Sequence, residues 1–390
     1  MVRRCPPWLG RITSAAVGGT FVGAWFYRPV ADNTSDLNGP VRSEEVFCSS
    51  TNPYIREKSP YVLELARALS IGTTTILIRM FMNTYGTFTV VNDDNYEHFV
   101  KTVLGEGREG QRGLVTISNH RSLFDDPGVM SGVLPWWIAL RPRFNRWGIC
   151  SQEYCFNDTL PGIVKGYIGA GQVLPICRSK GLDQKLLLDF ARHLASGEWC
   201  HIFPEGGVWQ LPELGGRHDL PGSGGRGRVS GPGKLRWGVG KLIAHAPVTP
   251  RVIPFAHAGM ENLLPQDKES GTTSLKRNFF DRSDPLQVLV RFGSEISFED
   301  LIRDHEAEHG ILWKYDKTTE GKTESDDVIY GGLGGRGNRG DFHRRWDSSA
   351  AEKELYSRIA SRIEIHLEAL TKSVVAKHEE NGAVINRRSP

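Results

Sequence analysis

The sequence lacks the short motifs that identify several common enzyme classes. No Gly-x-Ser-x-Gly sequence occurs, so the strand-to-helix turn of a serine hydrolase is unsupported. A Walker A sequence is absent, and no dinucleotide-binding glycine pattern stands between a predicted strand and a predicted helix. The cysteines form no Cys-x-x-Cys pair, and no histidine cluster has zinc-finger spacing. Any enzymatic chemistry of this chain must therefore rest on residue patterns other than these.

Cysteine and net charge are both low. The formal net charge is +3 over 390 residues, which is too small to argue for nucleic acid by itself. Six thiols spread over this length indicate core-filling side chains and not a disulfide framework. The alternative for two of them is a redox-sensitive pair between Cys150 and Cys155.

Acidic residues are missing from the N-terminus, where none precedes Asp32. The same stretch contains four arginines: Arg3, Arg4, Arg11 and Arg28. A basic, acid-free start of this kind is typical of a mitochondrial presequence. A short membrane anchor or a secretory signal peptide is the alternative, although the apolar run at residues 12–27 falls short of the ~20 residues that span a bilayer.

Long charge-free apolar runs are absent as well. Residues 61–86 are strongly apolar, yet Glu64, Arg67 and Arg79 interrupt them. A helix that spans a bilayer would have to bury these charges or extend them to the membrane surface. We therefore expect a helix that lies in the membrane interface, with a core helix packed on the domain as the alternative.

From residue 87 to residue 302, predicted strands alternate with amphipathic helices. Alternation of this kind favours an α/β fold with a mostly parallel sheet flanked by helices. We expect strands near 87–92, 113–119, 147–150, 171–177, 198–203, 251–259 and 286–294, and helices near 93–104, 181–197, 234–246 and 350–376. The helix at 181–197 has an apolar stripe of Leu187, Phe190, Ala191 and Leu194, and Gly197 is expected to cap its C-terminus.

Two segments rich in glycine, residues 211–233 and 318–345, interrupt this alternation. Their Gly-Arg pairs are similar to those of RNA-binding tracts, which raises a nucleic-acid alternative. Each tract has few repeats and little aromatic content, so composition favours flexible insertions.

The stretch TISNHRSLFDDPG, residues 116–128, places a histidine and two aspartates after a buried predicted strand. In open α/β sheets such strand ends deliver active-site loops. Asp125 could accept the proton of one imidazole nitrogen of His120, which leaves the other nitrogen free to take a proton from an alcohol. Asp126 is expected to cap the following helix. The alternative is a polar turn without chemistry.

Further polar residues follow later strands. Glu205 and Gly206 lie in the turn FPEGG, where a carboxylate can orient a polar headgroup; the alternative is a structural turn with a surface glutamate. Arg178 can bind a phosphate through its planar guanidinium, with a solvated surface charge as the alternative. His257 has no acid five residues later, so we interpret it as structural or as a headgroup contact, not as a base. His201 is expected to face the core.

These elements form an ordered series along the chain: NHxxxxDD, LPICR, FPEGG and VIP. The series resembles the glycerophospholipid acyltransferase family with its His-x4-Asp motif, and within it the mitochondrial phospholipid–lysophospholipid transacylases. The segments SNHRSLFDDP, GEWCHIFPEGGV, LRWGVGKLIA and IPFAHAGMENLLP carry this likeness. It covers roughly residues 60–302 and the final helix.

The resemblance implies an O-acyltransferase that moves acyl chains between phospholipids and lysophospholipids, with monolysocardiolipin as an acceptor and no metal or nucleotide cofactor. His120 would be the general base, and Asp125 would orient it. Four further residues would contact the lipid: Glu205, Gly206, Arg178 and Asn119. The implied partners are these lipids and a mitochondrial membrane surface, without nucleic acid. An acyl-CoA-dependent lysophospholipid acyltransferase is the alternative, and a non-catalytic membrane or RNA-binding protein is a remote one.

Composition and patterning along the chain, together with this likeness, suggest a domain organisation. We expect a targeting and linker region at 1–58, a membrane-interface helix at 59–86, an acyltransferase domain at 87–302 with the insertion 211–233, a low-complexity insertion at 303–346, and a C-terminal helix and tail at 347–390. At Gly207 and Trp209 the chain departs from the usual lysine and asparagine. A cationic headgroup contact would have to come from elsewhere, for example from the arginines of the first insertion.

Overall fold

The computed structural model describes residues 60–109, 112–177, 181–208, 210, 235–265, 285–315 and 348–388. Within these ranges the strands are β1 Gly86–Val90, β2 Leu114–Ser118, β3 Gly148–Ser151, β4 Val173–Ile176, β5 Trp199–Ile202, β6 Arg251–Ala258 and β7 Leu286–Phe292. The α-helices of the same ranges are α1 Pro60–Tyr85, α2 Asp94–Val103, α3 Asp125–Gly132, α4 Trp136–Ala139, α5 Gln152–Cys155, α6 Gly162–Ala170, α7 Lys185–Ala195, α8 Gly238–Ala244, α9 Glu299–His309 and α10 Ala350–Arg388.

The main sheet has five strands in the order β1-β7-β6-β2-β5. Its pairs are parallel except for β6 with β7. The remaining two strands, β3 and β4, form a small parallel sheet, which an isolated bridge between Trp147 and Cys200 joins to β5. The predicted α/β fold with a mostly parallel sheet is therefore confirmed.

Helices cover both faces of the main sheet. One apolar core lies between the sheet and α7, α8, α9 and α10, and includes Phe190, Ile243 and Ile359. A second core contains Phe99 and Met130, which come from α2 and α3. β2 is buried along its whole length between these layers, as a parallel strand covered on both faces should be.

The periodicity of apolar residues in the sequence correctly predicted which faces of the helices are buried. The predicted stripe of α7 is buried in full: Leu187, Phe190, Ala191 and Leu194. Gly197 follows that helix with φ +79°, the left-handed conformation of a C-terminal cap. The final helix buries Leu355, Ile359, Ile363 and Leu367 but continues to Arg388, beyond the predicted end near residue 376.

Helix α1 packs on the domain and also exposes apolar side chains. It contacts α3, α4, α6 and β1. Five of its large apolar side chains face outward: Tyr61, Val62, Leu65, Leu69 and Ile76. By length and composition alone, residues 61–85 could cross a membrane. The helix is therefore neither a fully buried core helix nor independent of the domain.

The arginines of α1 point toward protein. Arg79 donates from Nε to the carbonyl oxygen of Ser131 at 2.8 Å and from Nη2 to that of Leu134. The guanidinium of Arg67 lies 4.9 Å from the ring centroid of Trp147. The two arginines that interrupt the apolar sequence are thus partnered by the domain, whereas Glu64 is exposed and lies 3.8 Å from Arg67 on the same helix.

Two of the cysteines were interpreted wrongly as core-filling thiols. Cys150 and Cys155 form a disulfide across five residues at the end of β3 and the short helix α5. Cys177 and Cys200 are buried and form no disulfide with each other, as predicted. Cys5 and Cys48 lie outside the described residues.

Candidate active site

Three neighbouring parallel strands bring the predicted site residues to one edge of the sheet. β2 lies between β5 and β6, and the three run in the same direction. Their carboxyl ends therefore meet at a single edge, where open α/β sheets place their ligands. His120 follows β2, Glu205 follows β5, and His257 lies near the end of β6.

His120 is held in one orientation by two contacts. Its Nδ1 lies 2.9 Å from Oδ2 of Asp125. Its ring stacks on Phe203, with centroids 4.3 Å apart and an angle of 20° between the planes. Because Asp125 accepts the proton on Nδ1, Nε2 is the nitrogen left to act as a base. The His120 side chain is 16% exposed, so solvent reaches it.

Asp125 is completely buried, yet it is held as a carboxylate. Burial alone would raise its pKa, but the charge of His257 and the hydrogen bond from His120 bring the pKa well below its ordinary value. Backbone N–H groups add to this effect, since Arg121 and Ser122 donate to Oδ2 at 2.6 and 2.8 Å. In the tight turn NHRSLFD, Oδ2 of Asp125 is therefore the common acceptor for His120, Arg121 and Ser122.

Asp126 does not cap α3, so that prediction is wrong. The residue before Pro127 is driven out of the helical region, and Asp126 has extended backbone with φ −114° and ψ 109°. Its carboxylate forms an ion pair with Arg146, which also donates to the carbonyl oxygen of Gly171 at 3.2 Å. The two adjacent acids have separate partners: Asp125 orients the histidine, and Asp126 ties the start of α3 to the segment before β3.

Asn119 joins the end of β2 to β6. Its Nδ2 donates to the carbonyl oxygen of His257 at 2.9 Å, and its Oδ1 accepts from the backbone N–H of His257 at 3.0 Å. The side chain is buried at 1% exposure. Substrate contact by Asn119 stays a prediction, while the observed bonds align the two strand ends that carry the histidines.

Glu205 is also buried rather than on the surface. Its Oε1 accepts the backbone N–H of His120 at 2.9 Å, so the turn after β5 supports the loop after β2. Gly206 has φ +72°, and a Cβ there would stand 2.9 Å from Nε of Arg236. An exposed arginine thus lies over this turn. Lipid contact by Glu205 and Gly206 remains a prediction.

The other predicted positions have mixed outcomes. Arg178 lies outside the described residues, as do Trp209 and the arginines of insertion 211–233. His201 faces the core as predicted: it is 1% exposed, its Nδ1 lies 2.9 Å from Thr116 Oγ1, and burial holds its pKa well below the ordinary value.

Sequence reasoning missed the contact between His257 and Asp125. His257 Nε2 lies 3.5 Å from Asp125 Oδ2. The signal that would have revealed it is the strand order, because β2 and β6 are separated by more than one hundred residues of sequence. The spacing of residues within one motif does not show which strands are neighbours in the sheet.

The arrangement can accept a proton and transfer it. A buried carboxylate fixes one nitrogen of a partly exposed imidazole, which is an arrangement suited to a general base. Within the described ranges, no three His, Cys, Asp or Glu side chains are grouped so as to hold a metal ion.

Comparison with known proteins agrees with this chemistry. The family model described as Acyltransferase matches residues 87–258, which include every site residue from Asn119 to His257. An N-acylphosphatidylethanolamine synthase of Arabidopsis thaliana is 33% identical over 162 residues, 42% of this chain and 50% of the relative. A tafazzin of Drosophila melanogaster is 29% identical over 238 residues, 61% of this chain and 54% of the relative.

A protein of Dictyostelium discoideum, named taffazin, is 28% identical over 191 residues, 48% of this chain and 56% of the relative. The chain spans about half the length of these curated relatives. Residues 87–258 thus match the Acyltransferase family model, and over about half of its length the chain is similar to the tafazzins.

Proposed function

We propose that this protein is an O-acyltransferase that moves fatty acyl chains from a phospholipid to a lysophospholipid, with monolysocardiolipin among its acceptors. The observation that carries the proposal is the His120–Asp125 pair at the carboxyl edge of the sheet, with 2.9 Å between Nδ1 and Oδ2. Similarity to tafazzins supports the choice of a phospholipid as the acyl donor.

The reaction follows from that geometry. His120 Nε2 takes the proton of the acceptor hydroxyl as its oxygen attacks the ester carbonyl of the donor, because a neutral alcohol is a poor nucleophile. A C–O bond forms, and Asp125 stabilises the imidazolium. The tetrahedral intermediate then breaks the donor's ester C–O bond, and His120 returns the proton to the departing glycerol oxygen. The products are a new phospholipid and a new lysophospholipid.

The oxyanion of that intermediate needs hydrogen-bond donors. Three nearby backbone N–H groups are already used within the site: His120 donates to Glu205, and Arg121 and Ser122 donate to Asp125. We therefore assign oxyanion stabilisation to groups other than these three. Their role is to hold the carboxylates that shape the loop.

The test of the proposal is transfer without acyl-CoA. Purified protein is added to vesicles that contain phosphatidylcholine with a labelled acyl chain and unlabelled monolysocardiolipin. We expect labelled cardiolipin to form in the absence of any coenzyme A compound. Transfer that occurs only when acyl-CoA is added would contradict it and favour an acyl-CoA-dependent lysophospholipid acyltransferase.

A second candidate acceptor is the amine of phosphatidylethanolamine. The observation that favours it is the relative named N-acylphosphatidylethanolamine synthase, which is 33% identical to this chain. The same histidine could remove a proton from an attacking amine. Because an amide survives mild alkaline methanolysis and an ester does not, treatment of the labelled products separates the two activities.

We also propose that the enzyme works on a mitochondrial membrane surface, with α1 lying in the interface. The outward side chains of α1 are apolar, and its two arginines are partnered by the domain. The neighbouring helix α4 exposes Trp136 and Trp137, a residue type that favours the membrane–water boundary. The basic N-terminus supports the mitochondrial location.

The membrane proposal is tested by flotation with vesicles. A variant with Leu65→Glu and Leu69→Glu, both exposed on α1, should remain with the soluble fraction while it transfers acyl chains between lipids in detergent micelles. Unchanged flotation would contradict the placement of α1. The corresponding control is Leu104→Glu, an exposed apolar residue after α2, which should float like the wild type.

A further inference from the structure

His257 is a second histidine on the catalytic aspartate. It lies on β6, is fully buried, and places Nε2 3.5 Å from Asp125 Oδ2. His120 Nδ1 lies 2.9 Å from the same oxygen. The carboxylate that orients the base therefore faces two imidazoles, only one of which is reached by solvent.

The position of the hydrogen on His257 follows from its neighbours. Nε2 lies 3.0 Å from the backbone carbonyl oxygen of Asn119 as well as 3.5 Å from the carboxylate. Both neighbours are acceptors, so Nε2 carries a hydrogen and shares it between them. Nδ1 is buried without a hydrogen-bond partner among the described residues. The polar interactions of this ring are thus concentrated on Nε2.

The backbone around His257 is fixed. Its N–H and carbonyl groups both bond to the side chain of Asn119, at 3.0 and 2.9 Å, while β6 pairs with β2 and with β7. A ring mounted on a central strand can set a distance more accurately than a ring on a loop. His257 on β6 can therefore keep the loop that carries His120 and Asp125 at a constant distance from the strand.

Charged and titratable groups approach His257 from each side. Asp125 comes from the start of α3, His120 from the loop after β2, His201 from β5, and Glu261 from the turn after β6. Burial would lower the pKa of His257, but Asp125, with a smaller contribution from Glu261, raises it above its ordinary value. The carboxylate and this imidazole therefore stabilise one another.

We propose that His257 is a positioning residue for acyl transfer, which holds the Asp125 carboxylate within reach of His120 through the shared N–H on Nε2. The inference rests on the proposed function, because it concerns the same base. His257 itself contacts no reacting atom. By donating to the carboxylate it also moderates how strongly Asp125 retains the proton of His120.

A matched pair of uncharged substitutions tests this role. In His257→Gln the side-chain nitrogen is as many bonds from Cβ as Nε2 of histidine, so the shared donor is kept. In His257→Asn the side chain is one methylene shorter and the donor falls short of Asp125. The control is His245→Asn, since His245 is equally buried but bonds to Trp313 and Tyr356 rather than to Asp125.

We expect His257→Asn to lower kcat by at least about tenfold, equivalent to ~1.4 kcal/mol in the barrier, with little change in KM. The acid limb of its kcat–pH profile should move to higher pH, because a carboxylate that has lost a donor holds the His120 proton more strongly. His257→Gln should recover most of the rate, and His245→Asn should lower the unfolding temperature without moving the pH profile.

Three results would overturn the proposal. One is a wild-type kcat and pH profile in His257→Asn. Another is a loss of kcat that parallels the loss of folded protein equally in all three variants. The third is a kcat below a tenth of wild type in His257→Gln, although the N–H is kept. Spectra of 15N-labelled histidine report the titration of His120 without turnover, so they test the positioning role even if wild-type protein fails to transfer acyl chains.

Discussion

Replacing Asp125 by asparagine tests the proposed catalytic pair of His120 and Asp125 with almost no change in side-chain shape. Unit charges 2.9 Å apart, the distance between His120 Nδ1 and Asp125 Oδ2, attract by about 6 kcal/mol at an effective dielectric constant of ~20. The imidazolium is only partly formed in the transition state, and solvent reaches His120. We therefore take about half of this value, ~3 kcal/mol, as the lost stabilisation, which is a factor of about 10² in kcat.

The same substitution should affect stability in a pH-dependent way. The pKa of Asp125 is lower in the folded protein than its ordinary value. A carboxyl with a lowered pKa stabilises the fold at pH values above its unfolded pKa of about 4, and this contribution is lost as the pH falls. The difference in unfolding free energy between wild type and Asp125→Asn should therefore be full at pH 7 and shrink below about pH 4.

The assay is acyl transfer from labelled phosphatidylcholine in detergent micelles, with urea unfolding measured on the same samples. Asp126→Asn is the control, because the adjacent carboxylate pairs with Arg146 and does not contact His120. It should lose stability and keep kcat within about threefold, since it touches no reacting group. Equal losses of kcat in folded Asp125→Asn and Asp126→Asn would refute the separation of the two acids.

Three further changes have predicted effects on stability that urea unfolding measures. Gly206→Ala should cost about 1 kcal/mol and lower activity, because alanine is strained at φ +72° and its Cβ would displace Arg236; an unchanged midpoint contradicts this. Reducing the disulfide between Cys150 and Cys155 should cost about 2 kcal/mol for a loop of this length, and a Cys150→Ser variant should not respond to reductant. Arg79→Leu should cost about 2 kcal/mol because two carbonyl oxygens lose their donor; a neutral result would show that water replaces it.

The local features of the fold could be predicted because they depend on neighbours in sequence. The stripe of α7, the cap at Gly197 and the buried run of β2 follow from period and composition. The ordered motifs follow strands whose carboxyl ends lie at one edge of the sheet, while their chemical roles remain predictions. His120 and Asp125 were identified together because one turn contains both.

The remaining features depend on contacts between distant parts of the chain. Asp126 was expected to cap a helix, but its partner Arg146 lies twenty residues further on, in a segment that no local rule connects to it. Glu205 and His257 were assigned to headgroup contact or structure, since nothing in the sequence shows that β5 and β6 both flank β2. The direction of the arginines on α1 likewise depends on packing, which the apolar sequence alone does not determine.

The most direct test of the account compares wild type with His120→Ala in vesicles that contain labelled phosphatidylcholine and monolysocardiolipin but no acyl-CoA. We predict that the wild type forms labelled cardiolipin, and that the variant, folded and bound to the vesicles as well as wild type, does so at least about 10² times more slowly. A wild-type rate of transfer in folded His120→Ala would contradict the claim that this histidine is the base.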